Sequence, residues 1–377
     1  MKLVGIVRNK RLWVVLTGII LSAVFVLQSG AFLQLFRQDT AYIYRGRILS
    51  VDEARLVPDP LIDGMYVGRQ TIEIVLLQGD FSGQRFVIEN TMSRYFNHHA
   101  VEGMELLFAV NMWNNEVHSI EVYSHSRGQF LLAFVAIFIM LLILVARKRG
   151  LYAILSMLFA LSTVAFFMIP GIASSGNPLV FALITGAIIA AFSTFLVQDV
   201  SKKAIASFAA TIFSISIVGV IVLIAGYVGN VDGLDLEHAE ELVESWNWGV
   251  SNFRITHLLA ASTVVIALGV VMHVSMAVVN AVFVTEEAKD MQQLFKAGME
   301  QGRDKLTIVL SVLLLAFLGS SVVILLLIAF AEASFMLLIN LDLIAVAVMQ
   351  IVGASFGIVL AVPLAAISAA FIKQTKF

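Results

Sequence analysis

The chain has 377 residues, of which 60% are hydrophobic and 13% charged, with 24 basic and 26 acidic side chains and a mean hydropathy of +0.94. Soluble domains sit near ~45–50% apolar and ~25% charged, so a soluble globular protein is excluded and an integral membrane protein indicated. The absence of cysteine removes disulfide frameworks, thiolate metal sites and cysteine nucleophiles together.

A helix needs about 20 apolar residues to cross ~30 Å of hydrocarbon. The first such run, 12–28, follows Lys2, Arg8, Lys10 and Arg11 and precedes Ser29-Gly30-Ala31. A retained signal anchor over 1–37 and a cleaved leader both fit this pattern, and the length of the run favours the anchor. Residues 38–126 are not membrane: they hold 12 acidic residues, six arginines and four of the seven histidines. Period-two, β-branched and aromatic text at Tyr42–Val51, Gln70–Leu77, Gln84–Ile88 and Glu105–Val110 predicts strands. Gly79-Asp80, Ser82-Gly83 and Asn114-Asn115 are turn material. Five or six short strands in such a segment predict a small β barrel or sandwich of OB-like size.

Seven further apolar runs follow at about 129–146, 151–171, 178–198, 206–228, 257–284, 306–331 and 343–372, giving a polytopic α-helical protein of about eight transmembrane helices, seven of them within 127–377. Pro170 ends one run, and Gly176-Asn177-Pro178 separates it from the next. The segment 230–252 carries Asp232, Asp235, Glu237, Glu240, Glu241 and Glu244 without lysine or arginine, and reads as an amphipathic surface helix anchored by Trp246 and Trp248. The last apolar stretch taken whole, 36 residues from Met336 to Phe371, holds Asn340, Asp342 and Gln350, which predicts an interfacial or re-entrant piece up to about Gln350 and a span from Gly353. Gly353-x-x-x-Gly357 in that span is a helix-contact motif, and Pro363 follows it.

Orientation follows from lysine and arginine beside the spans. With the N-terminus inside, 15 of the 24 basic residues flank inner segments, whereas the short outer loops hold only Arg254. Both termini are therefore expected in the cytoplasm and 38–126 outside, at a cell membrane.

An ionisable group near mid-membrane is a functional candidate. Only His273 lies deep inside a predicted span, with Asn280 two turns along the same face. It reads either as a proton relay or as a neutral imidazole bonding another helix, and the lack of an intramembrane carboxylate partner favours the second. Gly302-Arg303-Asp304 before the seventh span reads equally as a cytoplasmic charge latch or as anchoring with Asp304 as N-cap. No Walker A, HExxH or GxSxG sequence and no paired intramembrane aspartates occur, so no ATPase, protease or hydrolase activity is expected. His98-His99 lack metal-ligand spacing to His118 or His125, and no metal, cofactor or nucleic-acid partner is expected.

One span, a small outer β domain and then a run of spans resembles the YibE/F family of bacterial membrane proteins, in its YibE-like branch. The text that carries the resemblance is Gly79–Asn90 (GDFSGQRFVIEN), Arg147–Leu155 (RKRGLYAIL), Pro170 with Gly176-Asn177-Pro178, and Lys203-Ala204. It continues in Gly298–Leu306 (GMEQGRDKL), Leu313–Ser321 (LLLAFLGSS) and Val352–Leu364 (VGASFGIVLAVPL). It spans roughly 40–370, and the GRD and GSS blocks are its most specific part. Where the family shows an aspartate in G-x-x-M-D-V-x-x-S, this chain has His273 in Gly269-Val-Val-Met272-His273, and Ala277 replaces the serine. An Asn-Thr pair is Ser311-Val312, a later proline is Val323, and a Pro-Leu-Thr is Pro363-Leu364-Ala365. These departures fit either a divergent member or one half of a heteromer.

The resemblance implies a permease-like transport component in the bilayer, acting with a YibF-like sister or as a homo-oligomer. Its polar pathway would draw on His273, Asn280, Gly302, Arg303, Asp304, Ser311 and Ser320. The alternative expectation is a membrane scaffold or sensor whose β domain binds an envelope or extracellular ligand.

Overall fold

The computed structural model describes residues 10–28, 41–113, 116–175, 177–234, 236, 241–242, 255–285, 290–330 and 334–375. Gly176, the Asn114-Asn115 turn, most of the acidic segment, Trp246 and Trp248 lie outside these. The chain forms two compact units, one of 1–30 with 146–377 and one of 31–145.

The β unit contains β1 (Ala41–Pro58), β2 (Tyr66–Leu76), β3 (Arg85–Met92), β4 (Glu105–Trp113) and β5 (Glu116–His125) in one antiparallel sheet, ordered β3-β2-β1-β4-β5. The long first strand makes this order possible: residues 41–47 pair with β4, while 46–58 pair with β2. Irregularities between Ile48 and Ser50 and between Asp52 and Arg55 bend it where the partners change. The sheet curls into a half-barrel over Ile48, Ile72, Ile74, Leu76, Leu106, Phe108 and Val110, all at most 1% exposed. The buried Gln70 amide bonds Ala100 on both sides, accepting from its N–H at 2.9 Å and donating to its carbonyl at 3.0 Å, and so ties down the irregular β3–β4 connection. The same unit ends in α2 (Gly128–Ala146), none of whose 19 residues is buried.

The helical unit comprises α1 (Lys10–Gln28), α3 (Lys148–Thr163), α4 (Ile169–Ser175), α5 (Pro178–Gln198), α6 (Lys202–Gly229), α7 (Ile255–Val284), α8 (Met291–Ser320), α9 (Val322–Phe330), α10 (Phe335–Ile339) and α11 (Asp342–Gln374). Among the described residues, seven helices or continuous helical stretches, α2 of the other unit included, are long and apolar enough to cross a membrane. An eighth crossing requires α8 and α9 to act as one span, and they bend by 63° at Ser321.

Two local expectations change. Pro170 does not end its helix, because a wider π-type stretch at Val164–Met168 precedes it and α4 continues to Ser175; that looser ladder accommodates a residue without an N–H. Pro178 opens α5 at its first turn behind the Asn177 cap, whose side chain accepts from the Val180 N–H. The break in the last apolar run falls at Asn340-Leu341 instead of Gln350, where the Asn340 amide donates to the Met336 carbonyl, and α11 then runs unbroken through Gln350, Gly353 and Pro363.

The core of this unit is built from small residues, with α7 touching α5, α6, α8 and α11. A Cβ on Gly353 would collide with Val222 of α6, and one on Gly357 with Val218 of α6. On α8, Gly298 abuts Ala366 and Val282, and Gly302 abuts Val362. Backbones thus approach closely enough for dispersion to hold helices together where apolar lipid offers no hydrophobic drive. Gly302→Val should therefore cost about 1–3 kcal/mol through overpacking and lower the thermal midpoint in detergent. Gly269→Val, where a Cβ meets open space, should leave that midpoint unchanged.

Candidate functional site: the polar face of α7

On α7 the residues Leu268, Val271, Val274, Ser275, Val278 and Val282 are buried, which fixes the helix's inward side. Gly269, His273, Asn280 and Val284 are exposed at spacings of four, seven and four, one stripe on the opposite side. His273 and Asn280 therefore point out of the bundle, roughly 10 Å apart along the axis at ~1.5 Å per residue. Neither makes a hydrogen bond or ion pair among the described residues.

α8 runs beside α7 in the opposite sense, and the Gly298–Val282 contact sets their register. Counting residues from it puts His273 near the depth of Thr307 and Asn280 near that of Glu300. Thr307, Glu300, Arg303, Asp304 and Ser311 are all exposed. The two helices thus carry polar groups on exposed surfaces at matching depths.

The latch expected at Gly302-Arg303-Asp304 is absent among the described residues. Gly302 is buried as a packing contact, and Arg303 and Asp304 have no ion-pair partner. Asp304 is no N-cap either, since α8 begins thirteen residues earlier behind Asp290. The Ser311 hydroxyl donates to the Thr307 carbonyl and that of Ser320 to Phe317, each at 2.8 Å, so both serve their own helix.

Sequence reading missed a second polar group inside the bundle. Thr211, Ser214 and Thr263 are buried and donate to the carbonyl four residues back. Thr185 and Thr194 of α5 and Ser275 of α7 are equally buried, yet their hydroxyls have no partner among the described residues. Gly186 faces both Ile215 and Leu268, which places Thr194 and Ser275 at similar depth, eight residues past Gly186 and seven past Leu268. The Ser207 hydroxyl of α6 donates to the side-chain amide Oε1 of Gln198 at 3.1 Å. Hydroxyls scattered in apolar text give no signal until helix phase is known.

The β unit carries its own electrostatics. The Arg94 guanidinium grips Asp59 at 2.6 and 3.2 Å, and this pairing, with the Leu61 and Ile62 N–H groups, holds the carboxyl below its usual range. Arg47, 2.8 Å away, likewise lowers Glu105. His98 and His125 meet edge to face at 5.2 Å, and His99 lies 3.1 Å from Glu53. Among the described residues no three His, Asp or Glu side chains converge as metal ligands.

Burial first, then His98 and Arg127, lower the His125 pKa below the usual 6.5. The folded state therefore holds the neutral imidazole, and protons bind the unfolded chain first as pH falls. The β unit should lose stability as pH drops below about 6.5, the ordinary histidine value, until His125 itself protonates. Following urea unfolding of the full chain by tryptophan fluorescence checks this, and His125→Gln should flatten that part of the pH profile.

No curated protein and no solved structure matches the chain. The model of the YibE/F-like protein family matches residues 134–375, from α2 to the end of α11, with α1 and the β strands outside the match. The match covers more than half of the chain, which therefore belongs to the YibE/F-like family.

Proposed function

We propose that this chain is a permease-like component of a membrane transport assembly, with no ATPase of its own, whose polar pathway lies at a seam with a second membrane subunit. That subunit is a YibF-like sister or a second copy of the chain. In this reading the α8–α9 pair is one broken span, eight helices cross the membrane, both termini are cytoplasmic, and 38–126 is extracytoplasmic.

The observation that carries the reading is the outward direction of His273 and Asn280. A histidine and an amide facing hydrocarbon are expensive, and a covering helix that bonds them returns roughly 0.6 kcal/mol each, at most ~1.7. The exposed Thr307 and Ser311 of α8 lie at similar depth, so a seam along α7 and α8 would be polar through much of the membrane. A proton relay through His273 would be completed by groups of the other subunit.

A second reading, a membrane scaffold or sensor working through the β domain, draws on the tight packing around α7 and on the separation of His273 from Arg303 and Asp304. Flux separates the two. In proteoliposomes containing the chain with its co-purified partner, His273→Ala should abolish pH-gradient-driven transport while leaving membrane insertion intact. Unchanged flux would reduce His273 to packing and favour the scaffold. Affinity purification in mild detergent should recover a second membrane subunit, and His273→Leu with Asn280→Leu should alter that association; a strictly monomeric chain would contradict the seam.

A further inference from the structure

We propose that the groove between α1, α3 and α5 binds one acyl chain of an anionic phospholipid, with the headgroup held at Lys10. The groove has a volume of about 530 Å3, and its wall is almost wholly hydrocarbon. Trp13 and Leu21 of α1, Phe159 of α3, and Ile188 and Phe192 of α5 are among its lining residues. Gly18 lines it, where a Cβ would collide with the Phe192 ring, so that ring packs directly against the α1 backbone and the flanking side chains define a channel.

Its length matches one leaflet. The wall on α1 runs from Lys10 to Leu21, about 16 Å of helix at ~1.5 Å per residue. The wall on α5 runs from Ile188 to the turn at Val200. Half of a ~30 Å hydrocarbon core is ~15 Å, so the groove begins at one membrane face and stops near the midplane. A helix from another subunit would run on beyond the midplane, whereas a lipid tail ends there.

Charge selects the headgroup. The groove opens at the basic end of the helices, near Arg11, Lys202 and Lys203. Arg11 is committed, with Nε 3.7 Å from Asp199 and its guanidinium 5.4 Å from the Tyr152 ring centre. Lys202 donates to the Thr375 carbonyl at 2.8 Å, and Lys203 lies over the Phe283 ring. Lys10 is exposed, lines the groove, and has no partner among the described residues. A free ammonium at the mouth of a leaflet-deep apolar groove suits a molecule with a phosphate anion at one end and a hydrocarbon tail at the other. By the positive-inside pattern this is a lipid of the cytoplasmic leaflet. The inference is independent of the transport reading.

Trp13 provides the probe. The full chain with Trp113→Phe, Trp246→Phe and Trp248→Phe keeps Trp13 as its only tryptophan, and it can be reconstituted with acyl-brominated phosphatidylglycerol or phosphatidylcholine. Brominated phosphatidylglycerol should quench Trp13 with about fivefold higher apparent affinity, the scale of one lysine at an anionic surface. Lys10→Gln should bring that ratio to about one while both lipids still quench. Equal quenching before that substitution, a preference that survives it, or no quenching by either lipid would each overturn the proposal, the last because protein would fill the groove. Native mass spectrometry of the unsubstituted chain gives a second reading: preferential retention of phosphatidylglycerol is expected, and equal retention of the two lipids overturns it.

Discussion

The helical unit depends on backbone-close packing at a few glycines. Gly353 and Gly357 bring α11 against α6, and Gly298 and Gly302 bring α8 against α11. Helices gain nothing from the hydrophobic effect when moved from lipid into contact with each other, so small residues and dispersion must hold them. This choice has a consequence for polar groups. An interior lined by buried alanine, valine and glycine accommodates hydroxyls that bond to their own helix, but it leaves little space for an imidazole with a hydrogen-bonding partner. His273 and Asn280 accordingly sit on the exposed side of α7.

The β unit follows a different constraint. One 18-residue strand serves two partners in succession, and the irregularities that bend it curl the sheet around an Ile, Leu and Phe core. Two of its buried polar groups, Gln70 and Asn90, are bonded to each other and to the loop beside them. Here polarity fixes a loop, whereas on α7 the side chains of His273 and Asn280 have no partner among the described residues.

Much of this was legible in the sequence because membrane crossing imposes a length: the runs 178–198 and 257–284 coincide with α5 and lie within α7. The direction of His273 was not legible, since α7 is apolar on every side and its text carries no phase. Arg303 and Asp304 were misread for a related reason. Their charges mark where water begins, but α8 passes through that level without a break, so Asp304 caps nothing, and no latch forms among the described residues. The bend at Ser321 left only the Gly319-Ser320-Ser321 signal, which is permissive without being decisive. The strand Glu116–His125 escaped because serine, glutamate and histidine dilute its alternation. The groove at α1 is a tertiary feature, set by Gly18 against Phe192, and no local pattern announces it.

The central claim is that a second membrane subunit covers the His273–Asn280 face. The chain has no cysteine, so Asn280→Cys creates a unique attachment point for a nitroxide spin label. In discs excised from the native membrane, the covered face predicts an immobilised label with low accessibility to oxygen. A mobile label with the high oxygen accessibility of a lipid-facing site would contradict it.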